Sequence, residues 1–421
     1  MVNKTITISG ALIGTPIETS SSLQWIFENC NLAVEDGLIM EVSTKQIPYG
    51  DYHIDAFGCV VLPTFVNAHT HGFEFAFKGF KDGRSVDESH PDWFWDIYNN
   101  ATDELLELGS RIHFAECIMA GIGCVAEIIR HDIEGYKFQD ILKEFGLRGR
   151  IFGASPGCNG FDLGSEVHPT FSGRLENAKL LMFDHPLHIH LLETDFRRER
   201  IHELWGMSTG LILKRENLLE HPFLLTHCGA AKLEDMKVFQ NKRALVVATP
   251  IAEARLGEPS VDPSIIEKLG LPFAIGTDGP CYNPLVDMFE EMRTLLYNSY
   301  RNGFAWTHEE VLYAATLSPR PWLGETIQGI VEGAKADLQI LSLSKQKFHP
   351  MVKSPYNNLL KLIVGVTNSS DVKATIVDGK LLYIDNKLTQ IDLPSLLKDM
   401  NLMLSNMFTK NKIGALYETS L

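Results

Sequence analysis

Two histidines one residue apart, His69 and His71, end the stretch Phe65-Val66-Asn67-Ala68-His69-Thr70-His71. An apolar run from Val60 to Val66, broken only by Pro63 and Thr64, leads into them. On a strand, positions i and i+2 point to the same side, so two imidazoles there can converge on one cation. Neutral imidazole suits zinc and its neighbours. The plain alternative is a pair of hydrogen-bonded core histidines. Further polar groups stand at or just past apolar runs: His190 with Glu193 in 186–193, His227 in 223–229, and Asp278 in 272–279. His188 and His190 share a face, so either can be the ligand. His190 is preferred because Glu193 follows three residues on, where a carboxylate could reach a metal-bound water. Taken singly, His188 reads as a supporting or core histidine, Glu193 as a solvated loop acid and His227 as a packed residue. Asp278, just before Gly279, reads as a turn residue. After a buried strand, however, an ionised carboxylate needs a cation or strong donors. In a parallel barrel all strand C-termini open on one face, where residues remote in sequence meet. That coincidence, rather than any one residue, carries the functional reading.

The elements that must position these groups change in texture along the chain. Residues 1 to about 60 read as short strands (Thr5–Ile8, Gly37–Val42, Tyr52–Ala56) separated by Gly and Pro turn signals. From about 60, short apolar runs alternate with helical patterns, which predicts βα units and a parallel sheet. Candidate inner strands are Val60–Asn67, Cys124–Ile129, Gly149–Ala154, Leu187–Leu191, Phe223–Thr226, Ala244–Ala248 and Phe273–Gly276. An eighth is left unplaced. Thr102-Asp103-Glu104 opens a helix with a cap and first-turn acids, and Thr307-x-x-Glu310 is a capping box. After 335 the β texture returns, with a hairpin around Asp378-Gly379 and an amphipathic helix over Ser395–Phe408. The simplest layout is an α/β barrel over 61–334 interrupting a β-domain built from 1–60 and 335–421, the C-terminal helix included.

The chain has 421 residues and a net charge of -15. An acidic chain without a basic block is a poor candidate for nucleic acid or anionic membrane. Nothing approaches the roughly 18 consecutive apolar residues of a membrane span, and MVNKTITISG lacks a signal-peptide core. Seven scattered cysteines without a C-x-x-C predict free thiols in a reducing, cytoplasmic setting.

The motifs V-N-A-H-T-H, H-I-H-L-L-E-T, L-T-H-C-G, I-G-T-D-G and D-M-F-E-E-M-R, in this order over about 60–340, resemble the metal-dependent amidohydrolase superfamily. The similar branch holds cytosine and guanine deaminases, methylthioadenosine/adenosylhomocysteine deaminases and triazine hydrolases. The resemblance implies a distorted (β/α)8 TIM barrel with a small β-sandwich from both chain ends. It implies that His69, His71, His190 and Asp278 ligate one divalent metal, zinc first, with iron or manganese also suited. It implies that Glu193 is the proton shuttle, that His227 contacts the activated water and that Asp278 also accepts the water proton. Some relatives bridge two metals with a carbamylated lysine; 150–156 holds no lysine, which favours one metal. Glu127 is left to a structural or pocket role.

The implied activity is hydrolysis of non-peptide carbon–nitrogen bonds: deamination of an N-heterocycle (purine, pyrimidine, pterin or triazine-like) through a metal-activated water. The alternatives are deimination of a formimino-type substrate and triazine-type chloro- or aminohydrolysis, with a non-catalytic barrel module behind them. The substrate is a small molecule, and homo-oligomerisation is an expectation from the family. Where many relatives carry a polar pair after a Pro, this chain has Glu253 and Arg255, which read either as substrate contacts or as a local ion pair. Phe73 and Phe77 in the aromatic loop 73–80, with Trp95 beyond it, read either as a stacking surface for a flat ring or as a packed lid.

Overall fold

The computed structural model describes residues 5–18, 22–81, 83–88, 92–303 and 306–411. Eight parallel strands form a barrel: β1 Phe65–Thr70, β2 Ile122–Ile128, β3 Arg148–Gly153, β4 Gly160–Ser165, β5 Leu187–Leu191, β6 Phe223–His227, β7 Ala244–Ala248 and β8 Phe273–Ile275. Each pairs with its sequence neighbour. β8 is short, and the seam back to β1 is closed by a parallel bridge between Thr70 and Asp278. There the Thr277 and Asp278 N–H groups both donate to the His69 carbonyl at 3.1 Å. The approach is close enough that a Cβ on Gly276 would lie 2.7 Å from the His69 backbone, so this position requires glycine. The barrel interior is filled by Val66, Ala126, Phe152, Leu224, Leu245 and Val247, with Leu323 closing the end opposite the histidines.

The second unit is a nine-stranded mixed sheet from both chain ends. Ile8, Leu32 and Ile39 share one buried cluster with Ile340 and Ile376 from the far end of the chain. The hairpin turns at Asp378-Gly379, whose φ values of 52° and 69° are those of a type I′ turn. Thr102 caps the helix Asp103–Met119, and the Thr307–Glu310 box caps His308–Thr316. The helix Leu393–Asn411 packs against Asp103–Met119.

Three expectations are corrected. The run Val60–Asn67 is two strands, not one inner strand. Cys59–Pro63 pairs antiparallel with Leu338–Ser342 in the outer sheet, and β1 starts at Phe65. The switch falls at Thr64, whose N–H donates to the Asp337 carbonyl while its side chain is held by Arg320. The unplaced eighth strand is β4, Gly160–Ser165, in which two glycines and Asp162 interrupt the apolar pattern. The N-terminal strands are longer than read: Ile6–Glu18 pairs with Leu23–Glu35, whose polar residues hid it.

Asp337 ties the two units together. Its carboxylate accepts from Arg148 Nε at 2.8 and 3.0 Å, from Arg320 Nη1 at 3.2 Å and from the Asp378 N–H at 2.8 Å. Removing it leaves the buried Arg320 guanidinium without its carboxylate, while Arg148 keeps Asp378 and Glu325. Asp337→Ala is therefore expected to lower unfolding stability by about 3–5 kcal/mol, read as the urea midpoint, with metal content of the folded protein unchanged.

Candidate metal centre and its cavity

The barrel mouth gathers every chemistry-bearing group singled out above for metal binding. His69 and His71 leave β1 where its register with β2 shifts between Asn67 and Thr70, an irregularity that re-aims side chains. β5 directs Leu187, Ile189 and Leu191 to the outer core, which leaves His188 and His190 facing inward. His227 and Asp278 take left-handed backbone, with φ of 70° and 63°, as does Leu192 at 46°. Such conformations cost roughly 1–3 kcal/mol each and collect where a site must be built.

The donors converge. His71 Nε2 lies 3.3 Å from His190 Nε2. Asp278 Oδ1 lies 3.5 Å from His69 Nε2 and 3.6 Å from His71 Nε2. His69, His190 and His227 form a second triplet of candidate ligand atoms within 4.8 Å of one another, as do His69, His71 and Asp278. The hydrogen-bond network assigns the tautomers. His71 Nδ1–H donates to the Ile128 carbonyl at 3.0 Å, which leaves its Nε2 lone pair toward the centre. Asp162 lies 2.7 Å from His188 Nδ1, and His188 Nε2 lies 3.1 Å from His69 Nδ1. Burial opposes the Asp162 charge, but the bond to His188 outweighs it and holds the carboxyl well below its usual range. Asp162 thus accepts from His188, which accepts from His69. The His69 Nε2 lone pair is then left fully buried with no hydrogen-bond partner. Burial holds the pKa values of His69 and His190 well below that of free imidazole, so both are neutral and ready to ligate. An orphaned buried lone pair beside a carboxylate and two more imidazoles fits a divalent cation of the zinc, iron or manganese type.

His188 therefore supports His69 rather than competing with His190, and Asp162 supports His188. Asp162 escaped the sequence reading along with its strand. Such supporting bonds typically shift metal affinity by about 10–100-fold. Asp162→Asn is expected to weaken metal binding by that factor in a chelator competition, with the circular dichroism spectrum unchanged.

Glu193 faces the cage from the end of β5. Its Oε1 lies 3.7 Å from His227 Nε2, and its Oε2 pairs with Arg197 Nη1. Arg197, missed in the sequence, is held in turn by Asp87 at 2.8 Å from the first turn of the helix Asp195–Trp205, which Thr194 caps. His227 Nδ1 meets Thr249 Oγ1 at 3.0 Å. A cavity of about 240 Å³ opens over the cage, walled by Phe73, Glu74, Tyr98, Arg174 and Tyr282 among others.

The other residues expected at substrate are placed differently. Phe73 lines the cavity, whereas Phe77 is buried behind it against Phe94 and Tyr98. Glu253 Oε1 turns back to the Thr249 N–H at 3.0 Å, capping its own helix Pro250–Leu256 and steadying the threonine that holds His227. Arg255 Nε donates to the Tyr282 carbonyl at 2.8 Å. Trp95 falls in the helix Asp92–Asn99, with its side chain outside the described residues. Glu127 accepts from the Gly72 and Phe73 N–H groups at 3.0 and 3.2 Å and from Ser110 Oγ at 3.1 Å. It pins the loop that follows His71. Burial pushes its pKa up to about 8.

A parallel barrel with a His/Asp cage and a facing carboxylate at its C-terminal mouth has the construction of metal-dependent hydrolases. The model of the amidohydrolase family matches residues 178–382 of the chain. It is similar to the 5-methylthioadenosine/S-adenosylhomocysteine deaminase of Dictyoglomus turgidum, 27% identical over 404 residues that cover 87% of this chain and 92% of the relative. It is likewise 27% identical over 398 residues to the 5'-deoxyadenosine deaminase of Methanosarcina mazei, covering 86% of this chain and 89% of that one. The crystal structure of an adenosine deaminase from Xanthomonas campestris with bound zinc shares the fold, with a TM-score of 0.84 at 20% identity over 96% of this chain and 98% of that chain. Among the described residues no helix is long and apolar enough to cross a membrane.

Proposed function

We propose that this chain is a metal-dependent hydrolytic deaminase acting on a small N-heterocycle or related C=N compound, with the barrel that begins at Phe65 as its catalytic unit and the chain-end segments as its support. The observation that carries the reading is the orphaned His69 Nε2 within reach of Asp278, with His71 and His190 beside it. His69, His71, His190 and Asp278 would hold the ion, with zinc the first candidate. A bound divalent ion supplies Lewis acidity, which lowers the pKa of water from about 15.7 toward 7. Asp278 accepts the proton of the attacking water. His227, fixed through Thr249, orients that water. Glu193 protonates the ring or imino nitrogen next to the attacked carbon, then takes up the proton of the hydroxyl left on that carbon and delivers it to the leaving amine, which departs as ammonia as the C=O bond forms; the proton held by Asp278 returns to Glu193 through solvent to close the cycle. Arg197 keeps Glu193 aimed across the cage. The deaminase names of the relatives support the same reaction class.

The test is to purify the protein with zinc and screen adenosine-type nucleosides, guanine, pterins, pyrimidines, triazines and formimino compounds for ammonia release. Ammonia release proportional to enzyme supports the reading. A zinc-loaded protein that releases none from the whole panel overturns it.

A further inference from the structure

Arg174 plays no part in the reaction just outlined, yet it places a cation in the cavity wall that no hydrogen bond among the described residues satisfies. It stands on the helix Phe171–Ala178, which follows β4, and lines the cavity beside His131, Gly164 and His168. Only 7% of its surface is exposed. Its guanidinium makes one ionic contact among the described residues, Nη1 to Asp162 Oδ2 at 3.9 Å, which is beyond hydrogen-bond reach. Asp162 is satisfied without it. Its Oδ1 is bonded by His188 at 2.7 Å and by the Gly164 N–H at 2.8 Å, and His131 Nε2 lies 3.5 Å from its Oδ2. The backbone makes way for the guanidinium: Gly164 takes φ 71°, and a Cβ there would overlap Arg174 Nη1. A second donor stands nearby. His168 Nδ1 accepts the Thr170 N–H at 3.2 Å, so its ring hydrogen sits on Nε2. Burial and the Arg174 charge hold His168 below the usual imidazole range, which keeps it a neutral donor.

A guanidinium stays charged at any working pH. Taken out of water, it demands an acceptor. A carboxylate, whose two oxygens match two parallel N–H groups, is the acceptor that its fork fits. A dianion fits less well, because the Asp162 charge stands behind the fork. Contacts through Asp162 and His188 separate Arg174 from His69 and the cage. The acceptor therefore belongs to a side arm of the substrate and not to the carbon under attack.

We propose that Arg174 is a specificity-determining residue that, with His168 beside it, receives a carboxylate borne on an arm of the substrate. The substrate class that follows is an N-heterocycle or C=N compound with an acidic side arm, and not a neutral nucleoside or a bare base. The inference rests on the deaminase reading for its reaction, but its binding arm does not need turnover.

The experiment uses the zinc-loaded full chain in three forms: native, Arg174→Gln and His168→Ala. Isothermal titration with benzoate and with its neutral counterpart benzamide measures the preference for a carboxylate. The native protein is expected to bind benzoate about tenfold or more tightly than benzamide, and Arg174→Gln to bind the two within about threefold, with zinc content and melting temperature held. A carboxylate that lands on the metal instead would keep its preference in Arg174→Gln. His168 is exposed, so His168→Ala does not put the fold at stake. It is expected to weaken benzoate about threefold and to leave benzamide unchanged, and it decides the question where Arg174→Gln fails to fold. Of the compounds that release ammonia, those with a carboxylate arm are expected to lose about 10²-fold in kcat/KM in Arg174→Gln, mostly through KM, and those without one less than about threefold. A native protein that does not prefer benzoate, or binds neither probe, overturns the proposal. So does a preference that survives in Arg174→Gln or, where that variant does not fold, benzoate binding that is unchanged in His168→Ala. A protein that prefers benzoate through Arg174 but releases ammonia from no compound, acidic ones included, overturns the deaminase reading alone.

Discussion

Replacing Asp278 with asparagine is expected to leave a folded barrel that holds no stoichiometric metal and turns over at least about 10³-fold more slowly. Asparagine is the informative choice because the position is left-handed, at φ 63°, and asparagine tolerates that region. The Gly279 N–H, which donates to Oδ1 at 2.8 Å, keeps its acceptor, and the backbone bonds from residue 278 to His69 survive. What goes is the single negative charge among the proposed ligands. Burial pushes the Asp278 carboxyl up, but its contacts with His69, His227 and His71 outweigh that and hold it below its usual range, so the native group is ionised. Its loss removes both the charge complement of a divalent ion and the acceptor for the water proton, each worth orders of magnitude. Elemental analysis and the ammonia assay read the two losses together. A variant that kept its metal and a tenth of its rate would remove Asp278 from the centre.

The second large effect is expected at Glu193. Glu193→Gln should retain metal, because Glu193 is outside the proposed ligand set. Its kcat should fall by about 10²–10⁴-fold, the usual worth of a positioned acid or base. Arg197 retains its bond to Asp87 at 2.8 Å, so the helix that carries both stays in place. KM should change little, since proton delivery matters most in the transition state. Metal content separates this variant from Asp278→Asn: one loses the ion, the other keeps it and loses the proton route. Loss of metal from Glu193→Gln would contradict the division of roles.

The residues that gather at the mouth were legible because each is a polar group ending an apolar run. Burial makes such a placement costly unless something compensates it. His69, His71, His190, His227 and Asp278 all carry that signature. The supporting layer was not legible, because its members sit on stretches with no such contrast. Asp162 lies between Phe161 and Leu163 on a strand whose glycines hid it, and its link to His188 spans 26 residues. Glu74 looked like one more loop residue among aromatics; only the fold shows that its oxygen is enclosed. Glu253 and Arg255 stood out by their difference from relatives, but sequence alone does not tell a helix cap from a substrate contact, and the fold uses Glu253 as a cap. For the fold itself, alternation of short apolar runs with helices was enough to indicate a barrel. It was not enough to separate Cys59–Pro63 from β1, because both are apolar and the change of partner at Thr64 depends on Asp337 and Arg320, far along the chain.

The shortest stave of the cylinder, β8, is the one that delivers Asp278, and the bonds that seal it against β1 grip the carbonyl of His69. The last step of wrapping the sheet into a tube is thus the step that brings the carboxylate to its imidazoles. A chain that stalls as an open, curled sheet owns every necessary side chain and has no cage.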